Sequence, residues 1–129
     1  QSRTSARQTT GYVILDSKVT SGIDHAASPA AKSTIGLGRP WRPFSRVVFI
    51  RTELPAEITP AGWNNWNNPT NETTAYYAES GNTGPGAVTT ERVKWSHQLT
   101  PPETTPFLPA NFLRGNDHWN PQAEASHLP

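Results

Sequence analysis

Apolar positions in this chain fall into short runs that are separated by polar loops. The runs are rich in β-branched and aromatic residues and are bounded by Gly, Pro, Ser or Asn, a pattern that predicts β-strands. The predicted strands span residues 12–20, 46–53, 57–59, 75–79 and 92–95. No stretch carries the periodicity of a long amphipathic helix, so the pattern predicts a chain built mainly from strands and loops.

The connections between the predicted strands are long, and none is the two-residue Asn-Gly or Asp-Gly turn of a β-hairpin. Parallel strands cannot be joined by a tight turn, so long connections favour parallel pairing. Parallel strands without intervening helices indicate a solenoid, in which each coil rests on its neighbours. The spacing of the strands is too irregular to establish a sequence repeat.

Composition narrows the classes of protein to which the chain can belong. Proline accounts for 13 of the 129 residues, which is roughly twice the usual ~5% and disfavours long helices. The net charge is +1 with scattered basic residues, which argues against a nucleic-acid partner. The longest apolar run, Val47–Ile50, is far shorter than the ~18 residues of a membrane span. Cysteine is absent, which excludes disulfides and thiolate zinc sites.

The sequence offers little sign of a metal or a cofactor. The four histidines, His25, His97, His118 and His127, lack the spacing of metal ligands and are expected to be exposed loop residues. There is no Gly-x-Ser-x-Gly nucleophile motif and no phosphate-binding glycine loop that ends in Lys-Ser/Thr. We therefore expect no metal and no cofactor.

The strongest candidate for a ligand site is the stretch that precedes the second predicted strand. Pro40 fixes its own φ and favours an extended conformation at Arg39. Positions i and i+2 of an extended segment point to the same side, so Arg39 and Trp41 should share a surface. A guanidinium beside an indole plate suits an acidic or sugar-like ligand. The alternative is that the two side chains form only a surface cation–π or packing pair.

Several spaced segments closely resemble the pectin methylesterases (pectinesterases, carbohydrate esterase family 8). The matching segments are Leu37–Trp41 with Phe44–Phe49, Ala61–Trp66, Tyr76–Ala87, Arg92–Ser96 and, before them, Gln1–Arg3 with Thr10–Val13. Their order and spacing agree with the family over residues 1–96. The tail resembles the family only loosely, at Phe107–Leu113.

The resemblance implies an all-β fold, a right-handed parallel β-helix. Residues 1–129 would form the C-terminal part of a single β-helix domain. Residues 1–96 would supply coils and cleft loops, and residues 97–129 an irregular C-terminal wrap. The chain lacks methionine, so we expect it to begin inside a longer sequence or after processing, with any signal peptide upstream.

The resemblance also implies an activity, which is the hydrolysis of methyl esters of pectin (homogalacturonan) to pectate and methanol. The partner would be the polysaccharide, without nucleic acid or membrane, and the protein would be secreted to the extracellular space or cell wall. Asn71 begins an Asn-Glu-Thr glycosylation sequon, which has meaning only in a secreted protein.

In that family two aspartates carry out the chemistry, one as the nucleophile and the other as general acid and then base, while glutamines stabilise the oxyanion. Arg39 matches the arginine that pairs with the nucleophile, and Trp41 the tryptophan that packs against the sugar ring. Phe44 and Trp63 would add substrate contacts. A guanidinium binds a carboxylate through two parallel hydrogen bonds and keeps it ionised, which supports the role implied for Arg39.

The catalytic aspartates of the family lie upstream of the segment that Gln1 begins, and neither Asp16 nor Asp24 can replace them. We therefore expect this chain to be the C-terminal part of a longer enzyme, to require the remainder of that enzyme as a partner, and to be inactive alone. The alternative function is a non-catalytic, β-helical pectin-binding or polysaccharide-binding protein that retains the arginine and tryptophan.

Several aromatic and asparagine positions also have purely structural interpretations. Trp63 and Trp66 either pack in the interior or form a wall of a polysaccharide cleft. Tyr76 and Tyr77 should point to opposite sides of a strand, so one of them should lie in the core. The asparagines of 64–68 are expected to bond their own backbone and to shape a loop.

Overall fold

The computed structural model describes residues 3–22 and 34–126. The chain divides into two compact units, Gln1–Gln98 and Leu99–Pro129. The described strands, all in the first unit, are β1 (Tyr12–Leu15), β2 (Arg46–Ile50), β3 (Tyr76–Ser80) and β4 (His97–Gln98). The described helices are α1 (Asn71–Thr74), α2 (Pro109–Phe112) and α3 (Pro121–Ala125), with 3₁₀ segments at Pro85–Ala87 and Pro101–Phe107.

The four described strands form one parallel sheet in which chain order is also spatial order, β1-β2-β3-β4. The register pairs Ile14 with Phe49 and Phe49 with Glu79. Parallel bridges at Ile35–Ile58 and Gly38–Trp63 continue the stacking in the loops. The prediction of parallel pairing through long connections is therefore confirmed.

The core follows from the alternation of side chains along β2 and β3. Strand β2 is buried along most of its length, as is expected for a parallel strand that is covered on both faces. One side of the sheet carries an aromatic and aliphatic cluster, composed of Val47, Phe49, Leu54, Ile58, Trp63, Ala75 and Tyr77. Tyr77 is fully buried whereas Tyr76 is half-buried, so the prediction that one of the two tyrosines lies in the core is confirmed.

Strands β1, β2 and β3 are each followed by a residue with positive φ. These residues are Asp16, Arg51 and Gly81, with φ of 47°, 49° and 59°. The left-handed region is unusual for arginine. A two-point ion pair accompanies it, in which Arg51 donates from Nε to Asp16 Oδ1 at 2.6 Å and from Nη2 to Oδ2 at 2.8 Å. These hydrogen bonds hold the pKa of Asp16 below its ordinary value.

The second unit is organised by proline-led helical segments. Glu103 accepts hydrogen bonds from the backbone N and the hydroxyl of Thr100 at 2.8 and 2.6 Å, which caps the start of the 3₁₀ segment Pro101–Phe107. Asn120 caps α3 by accepting from the backbone N of Gln122 at 3.1 Å. Phe107 and Phe112 pack with ring centroids 6.3 Å apart.

Two of the predicted strands are absent from the structure. Residues 92–95 form turns rather than a strand, and the strand lies further on, at β4. The Arg92 side chain is drawn inward to Glu79 and to backbone carbonyls, as described below, and this contact replaces an extended conformation. Residues 57–59, also predicted as a strand, contain only an isolated parallel bridge at Ile58. No long helix occurs among the described residues, as the pattern predicts, although short helices accompany the sheet. None of the described helices has the length and apolar character needed to cross a membrane.

Candidate functional site

A groove with a volume of about 730 Å³ lies between the loop that precedes β2 and the loop that follows it. Its lining consists of Thr34, Gly36, Gly38, Arg39, Thr59, Ala61, Trp63, Asn64, Trp66 and Asn67. Backbone bonds hold the two loops side by side, because Leu37 N donates to Gly62 O at 2.6 Å and Asn64 N donates to Gly38 O at 3.1 Å. A Cβ at Gly38 would stand 3.2 Å from the Trp63 ring, so this close approach favours glycine.

Arg39 lies in the groove with its guanidinium stacked on an indole. Its Cζ is 3.8 Å from the centroid of the Trp66 ring, a cation–π contact. The side chain is exposed and makes no hydrogen bond or ion pair within residues 3–22 and 34–126. The donors of the guanidinium are therefore available to a carboxylate that the described part of the chain does not supply.

Trp66 is the residue that joins Arg39 to Trp41. The Trp41 and Trp66 rings meet edge to face, with centroids 5.3 Å apart and planes at 78°. Trp41 is 61% exposed and Trp66 is 37% exposed, so both offer apolar surface to a ligand. The sequence pattern placed Arg39 beside Trp41 but gave no sign that a third side chain would bridge them.

Asparagine side chains hold Trp66 in an unusual backbone conformation. Trp66 and Asn67 have φ of 61° and 54°, which costs energy for a bulky residue. Asn64 Oδ1 accepts from Trp66 N at 2.7 Å, and Asn65 Oδ1 accepts from Asn67 N at 2.9 Å. The prediction that the asparagines bond the nearby backbone is confirmed for Asn64, Asn65 and Asn68. The bonds hold the loop that carries the Trp66 indole.

Trp63 forms the floor of the groove and not an open wall. It is only 3% exposed, and its ring packs against Phe49 and Tyr77, with centroids 5.9 and 4.4 Å away. Its Nε1 donates to Glu79 Oε2 at 3.3 Å. Interior packing is thus its main structural role. A substrate contact by Trp63 stays a prediction, and little of the side chain is open to a ligand.

Beneath Trp63 lies a buried ion pair whose role the sequence did not reveal. Arg92 donates from Nε to Glu79 Oε2 at 2.8 Å and from Nη2 to Oε1 at 3.1 Å. The remaining donors reach the carbonyls of Pro60 at 3.0 Å and Gly86 at 2.6 Å. The sequence did hold one signal for this ion pair. Glu79 occupies an inward-facing position in the alternation of β3, and a buried carboxylate requires a partner.

Phe44 lies outside the groove lining. It is half-buried in the turn before β2, where its backbone N donates to Arg3 O at 3.2 Å. The structure therefore brings Arg39 and Trp41 together around Trp66 but does not add Phe44 to that cluster. A substrate contact by Phe44 stays a prediction.

Asn71, the first residue of the sequon, is 5% exposed at the start of α1. Its Nδ2, the atom that would carry a glycan, donates to Asn65 O at 2.9 Å. The sequon predicts glycosylation at Asn71, whereas the burial and the hydrogen bond of this side chain favour an unmodified asparagine. The observed contact ties α1 to the asparagine loop that positions Trp66.

No carboxylate among the described residues lines the groove. Asp16 is paired with Arg51 and does not line the groove. Asp24, His25 and His127 lie outside the described residues. His97 lies on β4, not in a loop, and stacks on Tyr76 with centroids 4.7 Å apart.

Comparison with solved structures identifies the class of proteins that share this fold. Pectin methylesterase from carrot has a TM-score of 0.80 and 36% identity, covering 100% of this chain and 40% of that chain. The pectin methylesterase of Aspergillus niger has a TM-score of 0.63 and 27% identity, over 77% of this chain and 30% of its own. The fold is therefore one that pectin methylesterases share.

Sequence comparison gives the family. The pectinesterase family model matches residues 1–116, and the chain belongs to the pectinesterase family. Pectinesterase 2 of Citrus sinensis is 44% identical over 124 residues, covering 94% of this chain and 24% of the relative. Putative pectinesterase 11 of Arabidopsis thaliana is 41% identical over 121 residues, covering 94% and 32%. The chain thus spans about a quarter to a third of these curated relatives.

Proposed function

We propose that this chain contributes the arginine and tryptophan side of a pectinesterase active site, as part of a longer enzyme that hydrolyses methyl esters of pectin. The observation that carries the proposal is Arg39, whose exposed guanidinium lies in the groove without a described carboxylate partner. The catalytic aspartates would come from sequence outside these 129 residues, and the 129-residue chain alone would be inactive.

In the proposed mechanism, Arg39 orients a nucleophilic aspartate by two-point hydrogen bonding and keeps it ionised. That carboxylate attacks the ester carbonyl and methanol departs with a proton from the second aspartate. Water then cleaves the acyl-enzyme, with the second aspartate as base. Trp41 supplies a plate for the sugar ring. Trp63 forms the floor of the groove, and Phe44 contributes at most a peripheral contact to the substrate.

The same proposal covers the architecture and location. The parallel sheet would be part of a right-handed β-helix, with coils and cleft loops over residues 1–96 and the C-terminal wrap over 97–129. The protein would be secreted and would act in the extracellular space or cell wall, with the polysaccharide as its partner. The similarity to the carrot enzyme supports this arrangement.

The decisive experiment is a chimera in which this chain replaces the matching segment of the carrot pectin methylesterase, hereafter the carrot chimera. We expect the chimera to release methanol from methylated pectin, and the 129-residue chain alone to match the buffer blank. Turnover by the chain alone would contradict the assigned roles. A folded chimera that binds pectin but releases no methanol would show that this chain does not supply a working arginine and tryptophan side of the active site.

The second candidate function is that of a non-catalytic pectin-binding protein. It is favoured by one specific observation, which is that the exposed ligand-facing groups, Arg39, Trp41 and Trp66, belong to this chain while no described carboxylate lines the groove. A binding surface needs only these groups, whereas hydrolysis needs the aspartates as well.

A further inference from the structure

The contact between Arg39 and Trp66 uses the flat side of the guanidinium. The Cζ atom of Arg39 lies over the Trp66 ring, 3.8 Å from its centroid, where the negative charge on the face of the indole attracts the cation. The N–H donors of a guanidinium lie in its plane. The contact therefore leaves these donors open to a carboxylate, while it restrains a long side chain that is otherwise exposed.

Trp66 is itself held in place at its backbone and at its ring. Its φ of 61° lies in the left-handed region, which a bulky residue adopts only where its surroundings impose it. Asn64 Oδ1 accepts a hydrogen bond from Trp66 N at 2.7 Å. The Trp41 ring packs edge to face against the indole, with centroids 5.3 Å apart. Trp66 can thus serve as a fixed support for Arg39.

Helix α1 braces the loop of Trp66 through Asn65. The side-chain Nδ2 of Asn65 donates to Glu72 Oε1 at 2.7 Å, and its backbone carbonyl accepts from Asn71 Nδ2 at 2.9 Å. The side-chain Oδ1 of Asn65 accepts from Asn67 N, one residue after Trp66, at 2.9 Å. Glu72 does not line the groove, so this brace acts from outside the surface that a ligand would contact.

Resting on the function proposed above, we propose that Trp66 is a positioning residue that holds the Arg39 guanidinium in place for the nucleophilic carboxylate. Glu72, which braces the loop of Trp66, acts on the same guanidinium indirectly. Fixing the planar fork in advance reduces the entropy that is lost when it pairs with a carboxylate. Among the described residues that line the groove and the adjoining recess, only Arg39 and Arg42 are charged, so no described acid competes for the fork.

The alternative role for Trp66 is that of a plate for a sugar ring, and the two roles predict different kinetics. Loss of a sugar plate weakens substrate binding and raises KM. Loss of a positioning residue lowers kcat instead and also changes the pH profile. A positive charge beside a carboxylate lowers its pKa, so a poorly placed Arg39 lets the pKa of the nucleophile rise. Activity that requires the ionised nucleophile is then lost at a higher pH.

The first test uses the 129-residue chain and does not require turnover. Nitrogen-15 relaxation of the arginine Nε–H groups measures how rigid each side chain is. We expect an order parameter above about 0.6 for Arg39, and a lower value for Arg7, which is exposed and does not line the groove. Trp66→Leu and Glu72→Ala should each lower the value for Arg39, Trp66→Phe should lower it less, and the control Thr73→Ala should not change it. An Arg39 as mobile as Arg7, or an unchanged value in Trp66→Leu, would overturn the proposal.

The second test measures kcat, KM and the pH profile of methanol release by the carrot chimera. In Trp66→Leu we expect kcat to fall about two- to fivefold, as suits a cation–π contact at an exposed site, with KM nearly unchanged. The acid limb of kcat/KM should move to higher pH by roughly half a unit. Glu72→Ala should move it in the same direction, which keeps the test open if Trp66→Leu fails to fold.

Trp119→Leu is the matched control, because Trp119 is 43% exposed, compared with 37% for Trp66, and does not line the groove. It should leave kcat, KM and the acid limb unchanged. A raised KM with an unmoved acid limb in Trp66→Leu would make Trp66 a sugar plate and overturn the proposal.

The two tests separate this proposal from the function on which it rests. If the natural chimera is active and Trp66→Leu moves neither kcat nor the acid limb, the positioning role is wrong while the esterase function stands. If the natural chimera is inactive, the esterase function is wrong, and the relaxation measurement alone decides whether Trp66 holds Arg39 in place.

Discussion

Glu79 and Arg92 form a two-point ion pair in which both side chains are almost completely removed from water, at 1% and 4% exposure. Arg92 also bonds the carbonyls of Pro60 and Gly86, while Glu79 receives the Trp63 indole N–H. One pair thus joins the floor of the groove to two loops. The pair can stabilise the fold only while both charges are present, because a buried charge without its partner is strongly destabilising.

Replacing Glu79 by Gln should therefore destabilise the chain severely. The change leaves the Arg92 charge buried without a counter-charge, and we expect a loss of about 3–5 kcal/mol in the free energy of unfolding. Glu53→Gln is the matched control, because Glu53 pairs with Lys18 at the surface and should cost at most about 1 kcal/mol. Urea unfolding followed by tryptophan fluorescence measures both, and equal losses would show that the Glu79 pair has no special role.

Arg39→Lys in the carrot chimera tests the role of the guanidinium. Lysine keeps the charge but loses the planar fork, so the nucleophile would be held less well. We expect kcat for methanol release to fall by roughly tenfold or more, about 1.4 kcal/mol of transition-state stabilisation. Arg7→Lys should leave kcat unchanged. A normal kcat in a folded Arg39→Lys chimera would make Arg39 a structural residue.

The sequon can be tested by removing its threonine. Thr73 is exposed, and its hydroxyl donates to Thr70 O at 2.9 Å, so Thr73→Ala abolishes the sequon while leaving Asn71 in place. Because Nδ2 of Asn71 is buried and bonded, we expect the protein from a secretory host to carry no glycan there. The intact masses of the natural protein and of the Thr73→Ala variant should then differ only by the mass of the substituted side chain. A further loss of glycan mass in Thr73→Ala would contradict this expectation.

The same asparagine should matter for stability. Asn71→Asp keeps the shape but loses the N–H donor to Asn65 O, and the buried oxygen is left facing a carbonyl. We expect a loss of about 1–3 kcal/mol in the free energy of unfolding. Thr73→Ala is the control within the same helix, and a comparable loss there would assign the effect to the helix and not to the bond.

The pair formed by Asp16 and Arg51 predicts a pH dependence. Hydrogen bonding to Arg51 lowers the pKa of Asp16 from 3.8 in the folded chain. The folded state therefore binds this proton less readily than the unfolded state, so the stabilisation is complete above about pH 4 and is lost as the pH falls through the lowered folded pKa. In NMR titration, the Asp16 carboxyl should titrate below 3.8 in the natural chain. In Arg51→Gln it should return toward that value, and identical curves would contradict the pairing.

The sequence predicted those parts of the fold that depend on local chemistry. Strands β1, β2 and β3 coincide with runs of β-branched and aromatic residues, and the long connections predicted their parallel pairing. The expectation of an extended Arg-Pro-Trp segment placed Arg39 and Trp41 on one surface, and in the structure both contact Trp66. In each case neighbouring residues carry the information.

Two of the misses concern contacts that join residues distant in the chain, and the third concerns a local backbone conformation. Arg92 had the alternation of a strand residue, yet its position is set by Glu79, thirteen residues earlier. Strand β4 consists of two polar residues and exists because β3 presents an edge to it. The Trp66 platform depends on a positive φ that asparagine side chains hold in place, which apolar patterning does not encode.

The agreement between chain order and spatial order in the sheet has a mechanical consequence. Each strand holds only its neighbours, so a pulling force on Gln98 would meet the strands one after another and not all at once. Strand β4 is attached through two residue pairs, whereas β2 and β3 share five. The strands should therefore separate in order, beginning with β4. The force needed should be low for this first step and higher where the buried ion pair between Glu79 and Arg92 has to be broken.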